Sequence, residues 1–494
     1  MSRVAIVSNR LPPIDRAKAS AGGLATGLGA ALNELGGTWI GWDGRPDCAA
    51  GDRLRFHTAG AYKVAALPLS QAECDGYYLG FANRTIWPLF HGRTDLLRYD
   101  PQEFATYRAV NARFARAVVE AAADHDCVWV HDYHFFLLAR ELRRLGMTVP
   151  VGFFLHIPFP SPDVLEALPG HRALVEALAA YDLVGFQTEN DRRNFAAYVG
   201  QRLGWRVDAD GTVHTPDGRF SVGVFPIGID TARFAELAAE AGDSRADGAL
   251  RAAFAERLGM IGVDRLDYTK GLPQRLDAYE RLLETAPELR RRIFLLQIAA
   301  PSREDIPEYA ELKRALDIKS GRLNARFGEL DWTPVRYINR AFGQQRLAAL
   351  YRLSRVGLVT PLRDGMNLVA KEYVAAQDPA DPGVLVLSTF AGAAERLSGA
   401  LLVNPYDVDG LARAMRRALA MPHAERRARW AEMIAELRAH DVHRWRRDFL
   451  AALVSAGMAR AVPARRQVPV LAFSRQGRGD GRAEARTDAA RRAL

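Results

Sequence analysis

The sequence predicts an α/β protein built from two doubly wound domains that face each other. Short apolar runs without polar alternation recur along the 494 residues, as expected for parallel strands that are covered on both faces. Longer helical patterns separate these runs, and a β-α repeat of this kind is typical of doubly wound sheets. About five runs lie in each half of the chain, with a change near 228–245, so two such domains are expected.

The predicted strands are the runs RVAIVS (3–8), VWVH (128–131), VGFFLH (151–156), LVGFQ (183–187) and VGVFPI (222–227), then MIGVD (260–264), IFLLQIA (293–299), VGLVTPL (356–362), VLVLS (384–388) and LLVNP (401–405). The intervening patterns, such as AVNARFARAVVEAAA and LPQRLDAYERLLETA, have the apolar spacing of amphipathic helices.

Four segments follow from this pattern: an N-terminal domain (1–235), a C-terminal domain (236–440), a helix (441–460) and a basic tail (461–494). In the helix, Trp445, Phe449 and Leu450 are spaced to pack against the body of the protein. The tail combines Arg, Gly and Pro without an apolar period, which predicts disorder.

Composition excludes several classes of protein. The sequence has no run of about 18 apolar residues, the length needed to span a membrane. Its start, MSRVAIVSNR, does not look like a signal peptide. The net charge of +9 comes from 67 basic and 58 acidic residues, and nine Arg against three acids from Met458 onward supply +6 of it. The body is therefore nearly balanced and gives no support to nucleic-acid binding. Three isolated cysteines suit a reducing cytosol, so a cytoplasmic protein is expected.

Two loops carry groups that suit a phosphate. In SAGGLATGLG, Gly22 and Gly23 would let a backbone approach a phosphate ahead of a helix, although tight-turn packing is the better explanation of that loop alone. GVDRLDYTKGLPQR places Arg265 and Lys270 after a strand, and these cations suit a leaving diphosphate. With only 6 Lys against 61 Arg, a retained lysine is informative, but a solvated loop lysine is an equal alternative.

The segment TPLRDGMNLVAKEYVAAQ also leaves a strand and continues as a helix. Asp364 and the following Gly-Met-Asn turn lie where backbone amides could meet a sugar hydroxyl or a phosphate. Glu372 lies one helical turn after Leu368 on the same face, where it could reach a ribose diol. For Glu372 alone, complementing the helix macrodipole is the better explanation.

In the first half, the motif HDYH offers Asp132 as an acceptor for sugar hydroxyls, and FLHIPFP ends a strand at His156. A structural, hydrogen-bonded histidine is the default interpretation of His156. The two histidines of HDYH lack an evident third ligand, so no metal site is expected.

Arg10 and Arg303 each follow a strand, at the end where open α/β sheets bind ligands, and together they could clamp a phosphate. For a single arginine among 61, a surface charge is the simpler role. Tyr78 and Trp87 could stack against a sugar, but a place in the core is their default interpretation.

Taken together, the motifs closely resemble one family of enzymes: SNRLPP, AGGLATG, YYLGFANRTIWPLFH, WVHDYH, GFFLHIPFP, GFQTENDRRNF, PIGID, DRLDYTKGLPQR, TPLRDGMNLVAKEYVAAQ and NPYD. That family is trehalose-6-phosphate synthase, whose members are retaining glycosyltransferases with two Rossmann-like domains facing across a catalytic cleft, the GT-B arrangement. The resemblance runs from about residue 3 to 455. It implies that the helix 441–460 crosses back to the first domain.

The resemblance implies transfer of glucose from a nucleotide sugar, usually UDP-glucose, to glucose 6-phosphate. The implied acceptor-binding residues are Arg10, Tyr78, Asp132 and Arg303, and those that select the α anomer are Trp87 and His156. The implied donor-binding residues are Gly22, Gly23, Arg265, Lys270, Phe342, Asp364, Leu368, Val369, Ala370, Lys371 and Glu372. Arg265, Lys270, His156 and Asp132 form the implied catalytic set.

No carboxylate pair at the spacing of a nucleophile and its partner is identifiable, which favours a front-face mechanism without a glycosyl-enzyme. The implied mechanism needs no cofactor and no metal. The expected partners are the two substrates, with neither a membrane nor a nucleic acid, and a homo-oligomer is left open. Alternatives on the same fold are a glucosylglycerol-phosphate synthase, a pseudo-glycosyltransferase or a catalytically silent regulatory homologue.

The tail gives a first testable prediction. Truncation after Ala461 is expected to leave kcat and melting temperature nearly unchanged, because such a segment buries too little apolar surface to offset its ordering entropy. Truncation before Asp441 should lower the melting temperature, since it also removes the predicted packing helix. Loss of activity on removing the tail alone would show that the tail belongs to the enzyme.

Overall fold

A computed structural model describes residues 3–12, 36–47, 53–242 and 254–461, together with the single residues 28, 29, 32, 33, 51 and 252. Within these residues, the strands form two sheets, one with ten strands and one with six. Nearly all neighbouring strands are parallel, and the antiparallel pairs lie towards the two ends of the larger sheet. The predicted tail lies outside the described residues from Val462 onward.

The first sheet has the spatial order β3-β4-β2-β1-β5-β6-β7-β10-β9-β8. Its strands are β1 (Val4–Arg10), β2 (Gly37–Trp42), β3 (Arg55–Ala59), β4 (Tyr62–Ala66), β5 (Cys127–His131), β6 (Val151–Phe154), β7 (Leu183–Phe186), β8 (Arg206–Val207), β9 (Thr212–Thr215) and β10 (Gly218–Val224). The second sheet has the order β13-β12-β11-β14-β15-β16. Its strands are β11 (Leu258–Arg265), β12 (Ile293–Ala300), β13 (Val335–Ile338), β14 (Val356–Val359), β15 (Val384–Ser388) and β16 (Leu401–Val403).

The α-helices in the described residues are α1 (Gln71–Glu73), α2 (Trp87–Phe90), α3 (Pro101–Ala121), α4 (Leu138–Arg144), α5 (Pro162–Leu165), α6 (His171–Ala177), α7 (Glu189–Tyr198), α8 (Thr231–Gly242), α9 (Leu272–Thr285), α10 (Pro307–Phe327), α11 (Gln344–Leu353), α12 (Leu368–Ala376), α13 (Val408–Ala420), α14 (His423–Ala439) and α15 (Val442–Ala461). A π-helical segment, Cys74–Ile86, joins α1 to α2. None of these helices has both the length and the apolar character needed to cross a membrane.

Burial explains why the strands are continuous apolar runs. Along β1, Ala5 and Val7 belong to one apolar cluster, whereas Val4 and Ile6 belong to another. Because successive side chains of a strand point to opposite faces, both faces of β1 are covered. The predicted fold class, two facing doubly wound domains with Rossmann-like parallel sheets, is confirmed.

The strand order determines where the site forms. In the first sheet β1 lies between β2 and β5, and in the second β11 lies between β12 and β14. Beside each of these strands, the chain therefore changes the direction in which it adds strands to the sheet. Open α/β sheets bind ligands outside the carboxyl ends of the strands at such a reversal. The loops after β1, β5, β11, β12 and β14 therefore converge on the place where a ligand is expected.

Helix α15 packs on the first sheet, where it contacts β6, β7 and β10. The Phe449 ring stacks on Trp129 with 4.7 Å between ring centroids. Gly152 and Gly185 make room for it, since a Cβ at these positions would lie 2.9 and 2.7 Å from the Phe449 ring. Trp445 is buried beside it, and Leu450 is half-buried.

Sequence patterns missed the strands whose residues do not form a continuous apolar run. β3 lies at a sheet edge and is exposed along most of its length, and β13 lies at the edge of the second sheet with mostly half-buried residues. In β2, the glycines Gly37 and Gly41 interrupt the apolar pattern. Edge strands carry little apolar signal because one side of the strand has no neighbour to cover it.

The packing of α15 gives a second testable prediction. Phe449→Ala should destabilise the protein by about 3–5 kcal/mol, because it leaves a cavity against the Trp129 ring that the rigid sheet cannot fill. Val454→Ala is the matched control, since the Val454 side chain lies on the same helix and is 40% exposed. Thermal unfolding should show a clearly lower midpoint for the first variant only; equal midpoints would mean that this contact does not hold the helix.

Candidate active site

Two adjoining cavities open between the strand ends of the two sheets. The larger has a volume of about 460 Å³ and the smaller about 340 Å³. Four residues line both cavities: His156, Arg265, Lys270 and Asp364. We call the place that these four residues share the junction. Groups bound in the two cavities would meet there.

The smaller cavity lies at the ends of β1 and β5. Its lining includes all six residues predicted for the acceptor and for anomer selection: Arg10, Tyr78, Trp87, Asp132, His156 and Arg303. The Arg10 guanidinium lies 5.2 Å from the Tyr78 ring centroid and 5.3 Å from that of Trp42. Stacking on aromatic faces leaves the edge of a guanidinium available to an anion.

Arg303 reaches into the smaller cavity from the loop after β12. It donates hydrogen bonds to the hydroxyls of Tyr133 (3.1 Å) and Tyr309 (2.6 Å), and lies 3.4 Å from the Asp267 carboxylate. Its guanidinium is 4.0 Å from the Trp87 ring centroid. The Arg303 Nε is buried without a hydrogen-bond partner in the described part of the chain. Buried donors are normally satisfied, so this N–H suits an anionic oxygen of a ligand.

Asp132 follows β5 in the left-handed backbone region, with a φ of 78°. Such a conformation in a residue other than glycine costs on the order of 1–3 kcal/mol and is concentrated at functional sites. The Asp132 carboxylate accepts a hydrogen bond from the backbone N–H of His156 at 3.1 Å. Burial raises the pKa of Asp132 to about 7, so near neutral pH this carboxyl can either accept or donate a hydrogen bond to a hydroxyl.

At the junction, Lys270 and Asp364 form an ion pair with 2.5 Å between Nζ and Oδ2. Asn367 donates a second hydrogen bond to the same oxygen at 3.0 Å. Burial opposes the ionisation of Asp364, but the Lys270 ammonium holds the pKa of Asp364 below its usual value. The ammonium is thus held at a defined point where the two cavities meet.

Asp267 anchors the loop that carries the cations. Its carboxylate accepts hydrogen bonds from the backbone N–H and the hydroxyl of Thr269, at 3.0 and 2.9 Å. It also lies 4.0 Å from the guanidinium of Arg265, which is half-exposed at the junction. Burial opposes ionisation, but Arg303, Arg265 and Lys270 together lower the pKa of Asp267 to about 2. Asp267 therefore stays charged and balances the surrounding cations.

The larger cavity lies over the second sheet and has a largely apolar wall that includes Phe342 and Leu347. At one end, Glu372 accepts a hydrogen bond from the Tyr351 hydroxyl at 3.5 Å. Burial raises the pKa of Glu372 to about 7. An apolar wall with an aromatic ring and one carboxyl group suits a heterocyclic base attached to a sugar diol.

Helix α12 begins beside the junction. Asn367 caps it, with its side-chain oxygen accepting from the backbone N–H of Ala370 at 3.3 Å, and has a φ of 80°. Leu368 and Val369 line the larger cavity, whereas Ala370 and Lys371 line neither cavity. The buried Lys371 ammonium donates to the carbonyl of Ile227 at 2.5 Å instead. Its predicted direct contact with a nucleotide-sugar substrate stays a prediction.

Sequence reasoning missed several residues that line these cavities: Ser8, Asn9, His91, His134, Gln187 and Asp264. It also missed Asp267, which pairs with Arg303. Most of these residues lie within the motifs that carry the family resemblance, and this was the sequence signal that could have identified them. Gly22 and Gly23 lie outside the described residues. Within the described ranges, no group of three or more His, Cys, Asp or Glu is placed to hold a metal ion.

Comparisons with known proteins agree with the predicted family. Residues 3–455 match the model of glycosyltransferase family 20. A trehalose-6-phosphate synthase of Sinorhizobium fredii is 49% identical over 91% of this chain and 98% of its own. A Burkholderia xenovorans α,α-trehalose-phosphate synthase (UDP-forming), solved in complex with glucose-6-phosphate, is 47% identical, with a TM-score of 0.88 over 91% of this chain and 99% of that one.

An Escherichia coli structure, described as trehalose-6-phosphate bound with UDP-2-fluoro glucose, is 44% identical, with a TM-score of 0.87 over 92% of this chain and 99% of that one. The family match spans both sheets and both cavities. The predicted resemblance is confirmed, and the chain belongs to glycosyltransferase family 20.

Proposed function

We propose that this enzyme transfers glucose from UDP-glucose to glucose 6-phosphate and releases UDP and α,α-trehalose 6-phosphate. The observation that carries the proposal is the pair of cavities that meet at Arg265, Lys270, Asp364 and His156. One cavity suits a nucleoside and the other suits a phosphorylated sugar. The relatives named above, with a bound UDP-sugar analogue in one and bound glucose-6-phosphate in another, support the same assignment.

In the proposed donor complex, the nucleoside occupies the larger cavity. The base lies against Phe342, and the ribose diol binds Glu372 near Tyr351. The diphosphate reaches the N-terminal end of α12, where backbone N–H groups and the helix dipole favour negative charge. This arrangement brings the donor glucose to the junction, beside Asp364.

In the proposed acceptor complex, glucose 6-phosphate occupies the smaller cavity. Its phosphate binds between Arg10 and Arg303, whose guanidinium groups lie over aromatic rings there. The sugar hydroxyls meet Asp132 and Tyr78. The Trp87 ring forms a wall beside Arg303, which restricts how the acceptor ring can present its anomeric hydroxyl.

The proposed reaction occurs on one face of the donor sugar. The bond between the anomeric carbon and the β-phosphate oxygen breaks, and the acceptor oxygen forms a bond to the same carbon. The acceptor proton passes to the departing phosphate oxygen, and UDP leaves. Arg265 and Lys270 lie where negative charge grows on that phosphate, so they stabilise the transition state more than the bound substrate. The proposed reaction involves no cofactor and no metal ion.

We also propose that the reaction takes place in the cytoplasm. The described cysteines, Cys74 and Cys127, are buried as free thiols. Burial raises the pKa of each thiol to about 12, so neither is primed for oxidation. Free thiols of this kind are compatible with a reducing compartment.

The function is tested by nucleotide release from UDP-, ADP- and GDP-glucose, each combined with glucose 6-phosphate or glycerol 3-phosphate. Release is expected to be fastest with UDP-glucose and glucose 6-phosphate, with a non-reducing disaccharide phosphate as product. Preference for glycerol 3-phosphate would instead identify a glucosylglycerol-phosphate synthase. No turnover with any pair would favour a catalytically silent homologue.

The junction cations give a third prediction. Arg265→Ala and Lys270→Ala should each lower kcat by about a hundredfold or more, corresponding to roughly 3 kcal/mol of lost charge stabilisation. Lys313→Ala is the control, because Lys313 pairs with Asp317 on the exposed face of α10. Initial rates at saturating substrate measure the effect. A near wild-type kcat in either junction variant would remove its role at the leaving group.

The acceptor phosphate gives a fourth prediction. Arg303→Lys should raise the KM for glucose 6-phosphate far more than the KM for UDP-glucose, because an ammonium cannot replace the bidentate guanidinium. Lysine keeps a positive charge beside the buried Asp267, which would otherwise lose its nearer arginine partner. A similar rise in both KM values would indicate a general structural role for Arg303.

A further inference from the structure

A chain of hydrogen bonds leads from helix α12 to the His156 ring at the junction. The Lys371 ammonium donates to the carbonyl of Ile227 at 2.5 Å, and the N–H of Ile227 donates to Gln187 Oε1 at 3.0 Å. Gln187 Nε2 lies 3.4 Å from Nδ1 of His156, whose Nε2 lies 3.0 Å from Nδ1 of His131. We call this series of contacts the His156 relay.

The chemistry of the groups allows one direction for every bond in the relay. A backbone N–H can only donate, so the Gln187 amide must turn its oxygen towards Ile227 and its NH₂ towards His156. An NH₂ group can only donate, so Nδ1 of His156 must be the acceptor. In the neutral ring the proton then lies on Nε2, which donates to Nδ1 of His131.

We infer that Gln187 is a positioning residue that holds His156 as the neutral, Nε2-protonated tautomer, with Lys371 anchoring the peptide that orients the amide. Both ring nitrogens of His156 are then occupied by the protein. The ring serves as a fixed wall at the junction and takes no proton from the attacking hydroxyl.

Burial supports the inference. Gln187 is 2% exposed, and Lys371 is 4% exposed. Lys371 is also one of only 6 lysines in a chain with 61 arginines. Burial lowers the pKa of Lys371 to about 7 and that of His156 to about 3, so a neutral His156 is expected throughout the working pH range.

Several charged or titratable groups face this ring or share its cavities: His131 from β5, Asp132 from the loop after it, Lys371 through the relay, and Arg265, Lys270 and Asp364 across the junction. The Arg265 guanidinium and the Lys270 ammonium at the junction would repel an imidazolium. Asp364 is already paired with Lys270. The surroundings therefore favour the neutral ring.

The inference deepens the proposed function. Because His156 then has no available lone pair, the proton of the attacking sugar hydroxyl is left to pass to the departing phosphate. The tautomer itself can be tested without turnover. The kinetic effect of Gln187, by contrast, rests on the proposed function.

The tautomer is tested by ¹⁵N NMR of the full chain labelled at its histidines, with His156 assigned by comparison with a His156→Asn variant. In the wild-type protein we expect Nε2 of His156 to stay protonated and Nδ1 to stay unprotonated from about pH 6 to about pH 9. In Gln187→Glu, the carboxylate can only accept, so it requires a proton on Nδ1. This raises the pKa of His156, and the imidazolium should appear below that pKa and disappear above it.

A wild-type spectrum with the proton on Nδ1 would overturn the inference, as would an unchanged ring in Gln187→Glu at every pH. The wild-type spectrum decides the question even if that variant fails to fold.

Kinetics test the positioning role. Gln187→Met keeps the approximate volume but removes both hydrogen bonds, and should lower kcat by roughly ten- to hundredfold with smaller changes in KM. Gln102→Met, at an exposed position of α3, should keep the wild-type kcat. A wild-type kcat in Gln187→Met would overturn the positioning role. Absence of glucose transfer by the wild-type enzyme would instead count against the proposed function and leave the NMR result standing.

Discussion

Three cations meet where the two sheets face each other, and their mutual repulsion has to be balanced before the cleft can exist. Arg265, Lys270 and Arg303 all line the smaller cavity, and two buried carboxylates hold them. Asp267 lies beside both arginines, and Asp364 pairs with the lysine at 2.5 Å. Charges this close interact strongly when water is partly excluded, so each carboxylate has to be placed by the fold itself. The excess of positive charge is what makes the junction suitable for phosphate.

The strand ends of the second sheet provide that placement through a network beneath the cavity floor. The fully buried Arg275 donates to Asp264 at 2.6 Å, to Gln297 at 2.9 Å and to Thr360 at 3.0 Å. These partners come from β11, β12 and the loop after β14, so one guanidinium ties together three strands whose following loops carry Lys270, Arg303 and Asp364. Hydrogen bonds from one charged group to several elements fix those elements relative to one another. The cations are therefore held before any substrate binds.

Much of the fold and of the site could be predicted because both rest on local patterns. Buried parallel strands require continuous apolar runs, so the strands around the cleft stood out, whereas exposed edge strands such as β3 did not. Site residues stood out where a polar group ends a strand or directly follows it, as with Arg10 and Asp132. The burial of Lys371 could not be predicted in this way, because its neighbour in sequence, Glu372, lines the larger cavity while the lysine faces Ile227, 144 positions away.

The sequence by itself determined the fold class, the family and the set of residues at the strand ends, because apolar periodicity and motif order are written along the chain. Only the tertiary structure decided which charges neutralise one another and which remain available. The pairing of Lys270 with Asp364 spans 94 positions, and that of Arg303 with Tyr133 spans 170. Coulomb and hydrogen-bond energies depend on separation in space and on burial, and neither quantity can be read from the order of residues along a chain.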